Sequence, residues 1–314
     1  MSAAGVDKRR SGGDGGKRKT LSPVDSAVIR HNSWLSHIPL LSAGMMAPAA
    51  GPDLGEVTAQ IAKGWPSDFC WSSCFDAQFI AALMYQGYLP TAHGPLDGPH
   101  EHVLLPKLHQ QRCVMQFEDL RLPKGLRSKA AGLDIAIDTA FDQVVEKCLE
   151  QHGESWLHPP IVQGFRDLFK MGGSGQVRMH SVEMFKDGEL VAGELGYSVG
   201  GSYCSLSGFS CVDSAGTVQC IALGVLLHER GFAFWDLGMG MEYKHSIGAK
   251  DLPRLKFLET LHAARDQPIK DFVLPPTPAA GILTPKLPIG RLVQLDRSKA
   301  EQGKGSPQSG GRRG

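Results

Sequence analysis

The most constraining feature of this 314-residue sequence is an apolar strand that ends in an acid, Phe232-Ala-Phe-Trp-Asp236. It lies in one continuous run, Gly208 to Arg254, in which a glycine-punctuated segment, a helix and this strand follow one another. In open α/β sheets, ligands bind at the C-terminal ends of the strands. Asp236 is therefore the candidate catalytic residue, because a carboxylate held there can accept a proton. A structural role in the next loop is the alternative.

The segment before this run predicts one strand followed by two helices. Asp134–Asp138 alternates as a short strand, and Asp138 is predicted to cap the helix that follows it. A second helix is predicted to begin at Pro159-Pro160, because proline suits a first helical turn.

The following segments predict a three-stranded meander, a helix, a strand and a last helix. Asp187-Gly188 favours a tight hairpin between the first two strands of the meander. The apolar helix spans Val218 to Arg230, and Pro253 opens the last helix. The order β-α-α-β-β-β-α-β-α resembles that of GNAT-type acyltransferases, so the predicted fold class is α/β (α+β), a GNAT-like domain with a mixed sheet.

The loop before the apolar helix argues against coenzyme A as the acyl donor. A pyrophosphate is usually held by a Gly-rich loop with a basic residue at a helix N-terminus. The loop Cys211 to Thr217 has one glycine, an acid and neither arginine nor lysine. The fold class therefore indicates acyl transfer from a different donor.

Composition shifts predict four regions. Residues 1–52 are predicted to be a disordered basic tail and linker, and residues 53–130 a separate N-terminal unit, which the family resemblance given below implies to be GNAT-like. Residues 131–268 form the predicted catalytic domain, and residues 269–314 a Pro/Gly-rich tail. The basic ends are either contacts for a polyanion or solvated segments without a partner.

Cysteine usage and apolar content predict a cytoplasmic protein. The chain is 42% apolar and 21% charged, and its apolar runs are too short to span a bilayer. Its seven cysteines form an odd, scattered set without a secretory signal, which is typical of reduced thiols. Cys70 and Cys74 have a spacing that zinc sites use, but no second pair follows, so no metal is predicted.

A set of ordered motifs resembles the leucyl/phenylalanyl-tRNA–protein transferase family. The resemblance covers roughly residues 55 to 265 and is strongest after residue 135. The segments that carry it are Gly87-Tyr-Leu-Pro90, Ile137 to Val145, Ser155-Trp156, His180-Ser-Val-Glu183, Leu190-Val-Ala-Gly193, Phe209-Ser210, Trp235-Asp236, Ser246-Ile-Gly-Ala249 and Pro253-Arg254.

The resemblance implies a reaction and two partners. Leucine or phenylalanine moves from an aminoacyl-tRNA donor to the α-amino group of an acceptor protein or peptide N-terminus. It also implies a fused pair of GNAT-like units with an apolar side-chain pocket. No metal or organic cofactor is implied, because the ester is already activated, and no membrane partner is predicted.

Beside the catalytic Asp236, a second set of residues is predicted to bind the substrates. Trp156 lies where the family has an aromatic pocket wall, with core packing as the alternative. Glu194 and Glu183, in the meander, either face the cleft or point to solvent, and His180 either acts as a base or is structural. The predicted substrate-binding set is Trp156, His180, Glu194, Tyr203, Ser207, Phe209 and Gly238.

The chain departs from the family at several positions, and one of them is where the family's carboxylate faces the acceptor. The family's Asp-Cys-Gln becomes Asp236-Leu-Gly238, and Leu206 replaces the acid of Gly-Glu-Ser-Met-Phe. Thr217 stands in place of a lysine, and Pro106-Lys107 in place of paired tryptophans. Three functions therefore stay open: the family's transferase, a same-fold acyltransferase with another donor or acceptor, and a non-catalytic relative that binds an N-terminus or RNA.

Overall fold

The computed structural model of the chain describes residues 21–49, 51–153 and 155–283. Residues 1–20 of the predicted N-terminal tail and residues 284–314 of the predicted C-terminal tail lie outside these ranges. The α-helices are α1 (Pro23–His31), α2 (Leu54–Gly64), α3 (Ala77–Tyr85), α4 (Leu126–Lys129), α5 (Phe141–His152), α6 (Pro159–Lys170), α7 (Ala215–Glu229), α8 (Glu242–Ser246), α9 (Arg254–Ala264) and α10 (Ala279–Ile282). The β-strands are β1 (Ala92–His93), β2 (Val103–Leu104), β3 (Gln111–Met115), β4 (Leu133–Ile137), β5 (Val177–Lys186), β6 (Glu189–Val199), β7 (Ser202–Ser210), β8 (Phe234–Gly238), β9 (Lys250–Pro253) and β10 (Leu274–Pro278).

A mixed sheet in the order β10-β4-β5-β6-β7-β8-β3-β9 forms the centre of the fold. Its neighbouring strands are antiparallel except β7 and β8, which run parallel because α7 carries the chain across between them. Their pairing ends at Cys204 and Asp236, although both strands continue beyond these residues. A cleft therefore opens between the ends of β7 and β8.

The predicted fold class and the order of elements from β4 to β8 are confirmed. The predicted hairpin is β5–β6, whose turn residues Asp187 and Gly188 have φ of 51° and 82°. Positive φ at both positions is the requirement of a type I′ turn, which explains the Asp-Gly pair. Between β8 and α9 the structure adds α8 and β9, which the sequence pattern does not predict.

The predicted cap of α5 is wrong. Ala140 occupies the N-cap position, and the Glu183 carboxylate on β5 accepts hydrogen bonds from Ala140 N and Thr139 Oγ1, both at 3.1 Å. Asp138 has φ of 62° and accepts a hydrogen bond from Ser181 N instead. Glu183 is fully buried, so it points neither to solvent nor to the cleft. An acid on a neighbouring strand supplies the bonds that local spacing assigned to Asp138.

The structure differs from the predicted regions at three places. β3 precedes the predicted boundary at residue 130, yet it pairs with both β8 and β9. β10 lies in the predicted C-terminal tail and pairs with β4, while α1 lies in the predicted linker. One sheet therefore extends across the predicted boundary at residue 130. The division into two GNAT-like units stays a prediction.

Each face of the sheet packs against its own helices. Buried side chains of α3, α5, α6 and α9 form one core with residues such as Leu195 and Phe234, and α7 forms the other with residues such as Val182 and Trp235. Because α4 and α10 also contact α7, nearly all of its surface is apolar. No helix within the described ranges is long and apolar enough to cross a membrane.

Candidate active site

A cavity of about 1010 Å³ lies where β7 and β8 separate. Its walls are the ends of β7 and β8, the first turns of α7, α8, the last residues of α5, and residues from the loops near 89–91, 107–109 and 155–156. Five of the predicted site residues line it, namely Trp156, Glu194, Ser207, Phe209 and Gly238. The other three, Asp236, His180 and Tyr203, do not reach its wall.

Two β-bulges shape this cavity. The pairing of β6 with β7 passes from Leu195–Ser207 to Gly196–Ser205, which leaves Leu206 as an extra residue. The pairing of β3 with β8 skips Leu237 in the same way. Both extra residues line the cavity. Bulges re-aim side chains beside functional sites, and here they direct two leucines into the wall.

Glu194, on β6, is a buried carboxylate of the cavity wall and is only 8% exposed. Its Oε1 accepts hydrogen bonds from Ser205 Oγ at 2.6 Å and from the Tyr203 hydroxyl at 3.3 Å. Ser205 Oγ accepts a further bond from Trp235 Nε1 at 2.8 Å. Strands β7 and β8 therefore fix the carboxylate in one orientation, and the alternative in which Glu194 points to solvent is wrong.

Gly196 makes room for this arrangement. A Cβ at position 196 would collide with the Tyr203 hydroxyl, so only glycine lets the phenol lie across β6 and reach Glu194. The second glycine of Gly193-Glu-Leu-Gly196 is therefore required for Tyr203 to pack against β6 and contact Glu194. Tyr203 itself is fully buried, so it positions Glu194 from behind the cavity wall.

Burial raises the pKa of Glu194 to about 7. The hydrogen bonds from Ser205 and Tyr203, the Gln219 side chain and the charge of Lys244 oppose this rise. A carboxyl group with a pKa near neutrality exchanges its proton at physiological pH, which is a requirement for a general base. The geometry and the protonation of Glu194 therefore both suit proton transfer.

Asp236 lies behind the cavity in a buried ion pair with Arg112. Arg112 Nε donates to Oδ1 and Nη2 donates to Oδ2, each at 2.8 Å, and Gly238 N donates to Oδ1 at 2.9 Å. Burial disfavours the charge on Arg112, but the attraction of Asp236 outweighs it and raises the pKa of Arg112. Both oxygens of Asp236 are therefore occupied, and the structure does not bring this predicted catalytic residue to the cavity wall.

Lys244 holds the end of β8 at the cavity. Its Nζ donates to Leu237 O at 2.6 Å and to Met239 O at 2.9 Å, on either side of Gly238, which has φ of 71°. The sequence pattern did not single out Lys244, Ser205 and Gln219, which also line the cavity. Of these three, only Ser205 has a local sequence signal of a site residue, because it alternates with the predicted site residue Ser207 along β7.

The contacts of His180 fit the structural alternative better than its action as a base. Its Nδ1 lies 2.8 Å from Asp138 Oδ2 and its Nε2 lies 3.0 Å from Ser198 Oγ. The ring packs edge-on against Phe272, with centroids 5.4 Å apart. The imidazole is thus enclosed on the α7 side of the sheet, away from the cavity.

The cavity wall carries several basic side chains and one acid. Glu194 is the only Asp or Glu among the described residues that line it, whereas Lys107, His109, His152 and Lys244 all do. Burial, assisted by Arg112, lowers the pKa of His109 to about 4, so this imidazole is neutral. The remaining lysines make the electrostatic environment of the cavity positive around a single carboxylate.

A basic surface stretch begins beside the cavity. Its side chains are exposed and, in the part of the chain that the structure describes, form no ion pair: Arg121, Lys124, Arg127 and Lys129. Pro123 lines the cavity, and Arg121 N donates to the O atom of Ile247, another lining residue, at 2.8 Å. The stretch is therefore continuous along the chain with the cavity wall at Pro123.

One cluster of described residues has the donor types of a metal site. Ligand atoms of Cys113, His245 and Asp251 lie within 4.8 Å of one another, and His245 Nε2 is 3.2 Å from Asp251 Oδ1.

All seven cysteines are free thiols. Cys70 is buried, which raises its pKa to about 12, so this thiol stays protonated at neutral pH.

Comparison with known proteins identifies leucyl/phenylalanyl-tRNA–protein transferases as relatives. A family model described as leucyl/phenylalanyl-tRNA protein transferase matches residues 114–262. The protein of that name from Nitrosomonas eutropha is 32% identical over 162 residues, which are 50% of this chain and 67% of the relative. The corresponding protein from Paramagnetospirillum magneticum is 32% identical over 157 residues, 48% of this chain and 73% of the relative. Among solved structures, the C-terminal domain of a putative lysylphosphatidylglycerol synthetase from Agrobacterium fabrum aligns at 13% identity over 68% of this chain and 79% of that chain, with a TM-score of 0.34. A probable N-acyltransferase from Enterococcus faecalis aligns at 14% identity over 63% of this chain and 46% of that chain, with a TM-score of 0.31.

Proposed function

The chain belongs to the leucyl/phenylalanyl-tRNA–protein transferase family, and from this premise we propose that it transfers leucine or phenylalanine from a charged tRNA to the α-amino group of a protein N-terminus. The observation that carries the proposal is Glu194, a buried carboxylate with a pKa of about 7 in the wall of a substrate-sized cavity. An α-ammonium group must lose a proton before it can attack an ester, and its own pKa is about 7.7–8.0.

In the proposed reaction, Glu194 takes one proton from the α-ammonium of the acceptor. The free amine attacks the carbonyl carbon of the aminoacyl ester, so that a carbon–nitrogen bond forms. Collapse of the tetrahedral intermediate breaks the bond between that carbon and the ribose oxygen. A second proton leaves the nitrogen and ends on the ribose oxygen, which departs as a hydroxyl. The products are an amide, the uncharged tRNA and the proton first held by Glu194.

Asp236 has a positioning role in this proposal. It fixes Gly238 N and the Arg112 guanidinium, and both contacts hold the end of β8 at the cavity. Trp156 and Phe209 supply apolar surface for the donor's terminal adenine or its amino acid side chain. The basic stretch from Arg121 to Lys129 is proposed to follow the phosphates of the donor RNA, and the N-terminal tail is a further candidate for that contact.

The cytoplasm is the proposed compartment, and the free thiols support it. No step of the proposed chemistry requires a metal or an organic cofactor. Protons move between the acceptor, Glu194 and the leaving oxygen, and the ester itself provides the free energy of transfer.

The test is transfer of labelled leucine or phenylalanine from charged tRNA to synthetic peptides with varied first residues. We expect transfer by the full chain and a loss of at least about 100-fold in kcat for Glu194→Gln, the scale of a general base. Ser202→Ala, a buried serine that bonds Val199 O outside the cavity, is the matched control. Tight binding of charged tRNA without transfer to any peptide would contradict the proposal and favour the non-catalytic relative.

A further inference from the structure

The cavity offers one carboxylate to an incoming acceptor. Glu194 is the only acid among the described lining residues, and the Asp236 carboxylate behind the wall is taken by Arg112. An acceptor N-terminus brings at least one cation, its α-ammonium group. If that group binds at Glu194, a cationic first side chain finds no second carboxylate and meets the charges of Lys107 and Lys244 instead.

An apolar patch lies on the same wall. Met239, Met241 and Tyr243 are 60%, 44% and 55% exposed, and all three line the cavity. Together with the bulge residue Leu206, these side chains form what we name the acceptor patch. Exposed methionines and an aromatic ring in one short segment are unusual on a surface without a binding role.

The acceptor patch is held in position and lines the same cavity as Glu194. Lys244 Nζ bonds the carbonyls of Leu237 and Met239, which fixes the segment that carries Met239 and Met241. Tyr243, at the start of α8, and Glu194, on β6, both line this cavity. An N-terminal residue whose α-ammonium contacts Glu194 therefore has its side chain within reach of the patch.

From this arrangement, and resting on the proposed function, we propose that the acceptor carries an uncharged apolar first residue, of which methionine, leucine and phenylalanine are the class. Leu206 is a specificity-determining residue in this proposal. Like-charge contact excludes lysine and arginine, and the methionine side chains of the patch adapt to apolar residues of different shape.

Peptide binding tests the proposal apart from transfer. Labelled peptides that differ only in their first residue are titrated into the full chain, and fluorescence anisotropy gives their dissociation constants. We expect peptides beginning with methionine, leucine or phenylalanine to bind at least about tenfold more tightly than those beginning with arginine or lysine, because like-charge contacts are costly. Equal or tighter binding of the arginine and lysine peptides overturns the proposal.

Three variants make the assignment specific. Leu206→Glu is expected to reverse the preference toward arginine, whereas Leu206→Gln, its uncharged control of the same size, is not. Met239→Ser with Met241→Ser changes exposed residues only, so the fold is preserved, and it is expected to remove the preference for methionine. An unchanged ranking in both Leu206→Glu and the double variant overturns the role of the patch.

Transfer measured with the same peptides separates the two proposals. If apolar peptides bind in preference but none is acylated, the proposed function fails and the acceptor proposal stands. If arginine peptides are acylated best, the proposed function stands and the acceptor proposal fails.

Discussion

Arg112 and Asp236 form a two-bond ion pair between strands that are 124 residues apart in sequence, and neither side chain is more than 6% exposed. The pair joins β3 to β8 at the point where β8 begins to form the cavity wall. Its guanidinium also stacks on Phe257, 4.7 Å from the ring centroid. The carboxylate at the end of this strand therefore constrains the position of the strand itself.

Breaking this pair is expected to destabilise the fold. Removing one member of a buried pair leaves an uncompensated charge, so Asp236→Asn and Arg112→Met should each lower the free energy of unfolding by about 3–5 kcal/mol. Urea denaturation measures this. The exposed pair Lys256–Glu259 is the control, because Glu259→Gln should cost about 0.5 kcal/mol or less. A stable Asp236→Asn protein without transfer activity would return the proton-accepting role to Asp236.

The pH dependence of transfer should report Glu194. With Glu194 as base, kcat/KM requires an ionised Glu194 and a protonated acceptor amine, so the profile is a bell with limbs near about 7 and about 8. In Glu194→Gln the acceptor must arrive unprotonated, which leaves one rising limb near about 8. A bell that persists in the variant assigns the lower limb to a different group.

The stability of the fold should fall as the pH rises through the titration of Glu194. Its pKa is raised from 4.5 to about 7, so the folded protein binds this proton more tightly than the unfolded chain does. The contribution of Glu194 to the free energy of unfolding is therefore lost between about pH 4.5 and 7 and is constant above that. Glu194→Gln should remove this slope, as urea denaturation at several pH values would show. Parallel pH curves for both proteins contradict the assignment.

Ser205 should set the pH of the acidic limb in the pH profile of kcat/KM, which is called the lower limb here. Its hydroxyl donates to Glu194 Oε1 at 2.6 Å and opposes the rise of the Glu194 pKa. Ser205→Ala should move the lower limb of kcat/KM upward by up to about one unit, the worth of one net hydrogen bond. Ser202→Ala should leave the limb unchanged. A lower limb that does not move in Ser205→Ala would exclude Glu194 as its source.

The basic stretch should control the affinity for the donor RNA. Replacing Arg121, Lys124, Arg127 and Lys129 by Gln should weaken the binding of charged tRNA and lower its dependence on salt, by about 0.7 to 0.9 in the log–log slope for each phosphate that is no longer neutralised. Filter binding at several salt concentrations measures both quantities. Replacing the exposed Lys147 and Lys256, which pair with neighbouring acids, provides the control. Equal slopes for both variants would place the RNA elsewhere.

Local sequence signals predicted the helices and turns well, but they predicted poorly which strands pair and which distant side chains contact them. The Asp187-Gly188 turn and the helix from Val218 are confirmed because turn geometry and helical periodicity act within a few residues. The cap of α5 was missed because Glu183 reaches it from a strand more than forty residues along the chain. β3, β9 and β10 take positions in the sheet that no local pattern specifies, since strand pairing is decided by distant segments.

The sequence by itself determined the family, the fold class and part of the set of residues around the cavity, because motif order and hydrophobic periodicity are written along the chain. Only the tertiary structure decided the roles within that set. The bulge at Leu206, the burial of Glu194 among Ser205, Tyr203 and Trp235, and the engagement of Asp236 by Arg112 all depend on which strands pair and in which register. Proton affinity and access to the cavity follow from those non-local contacts, so chemistry that the sequence assigned to Asp236 is proposed for Glu194.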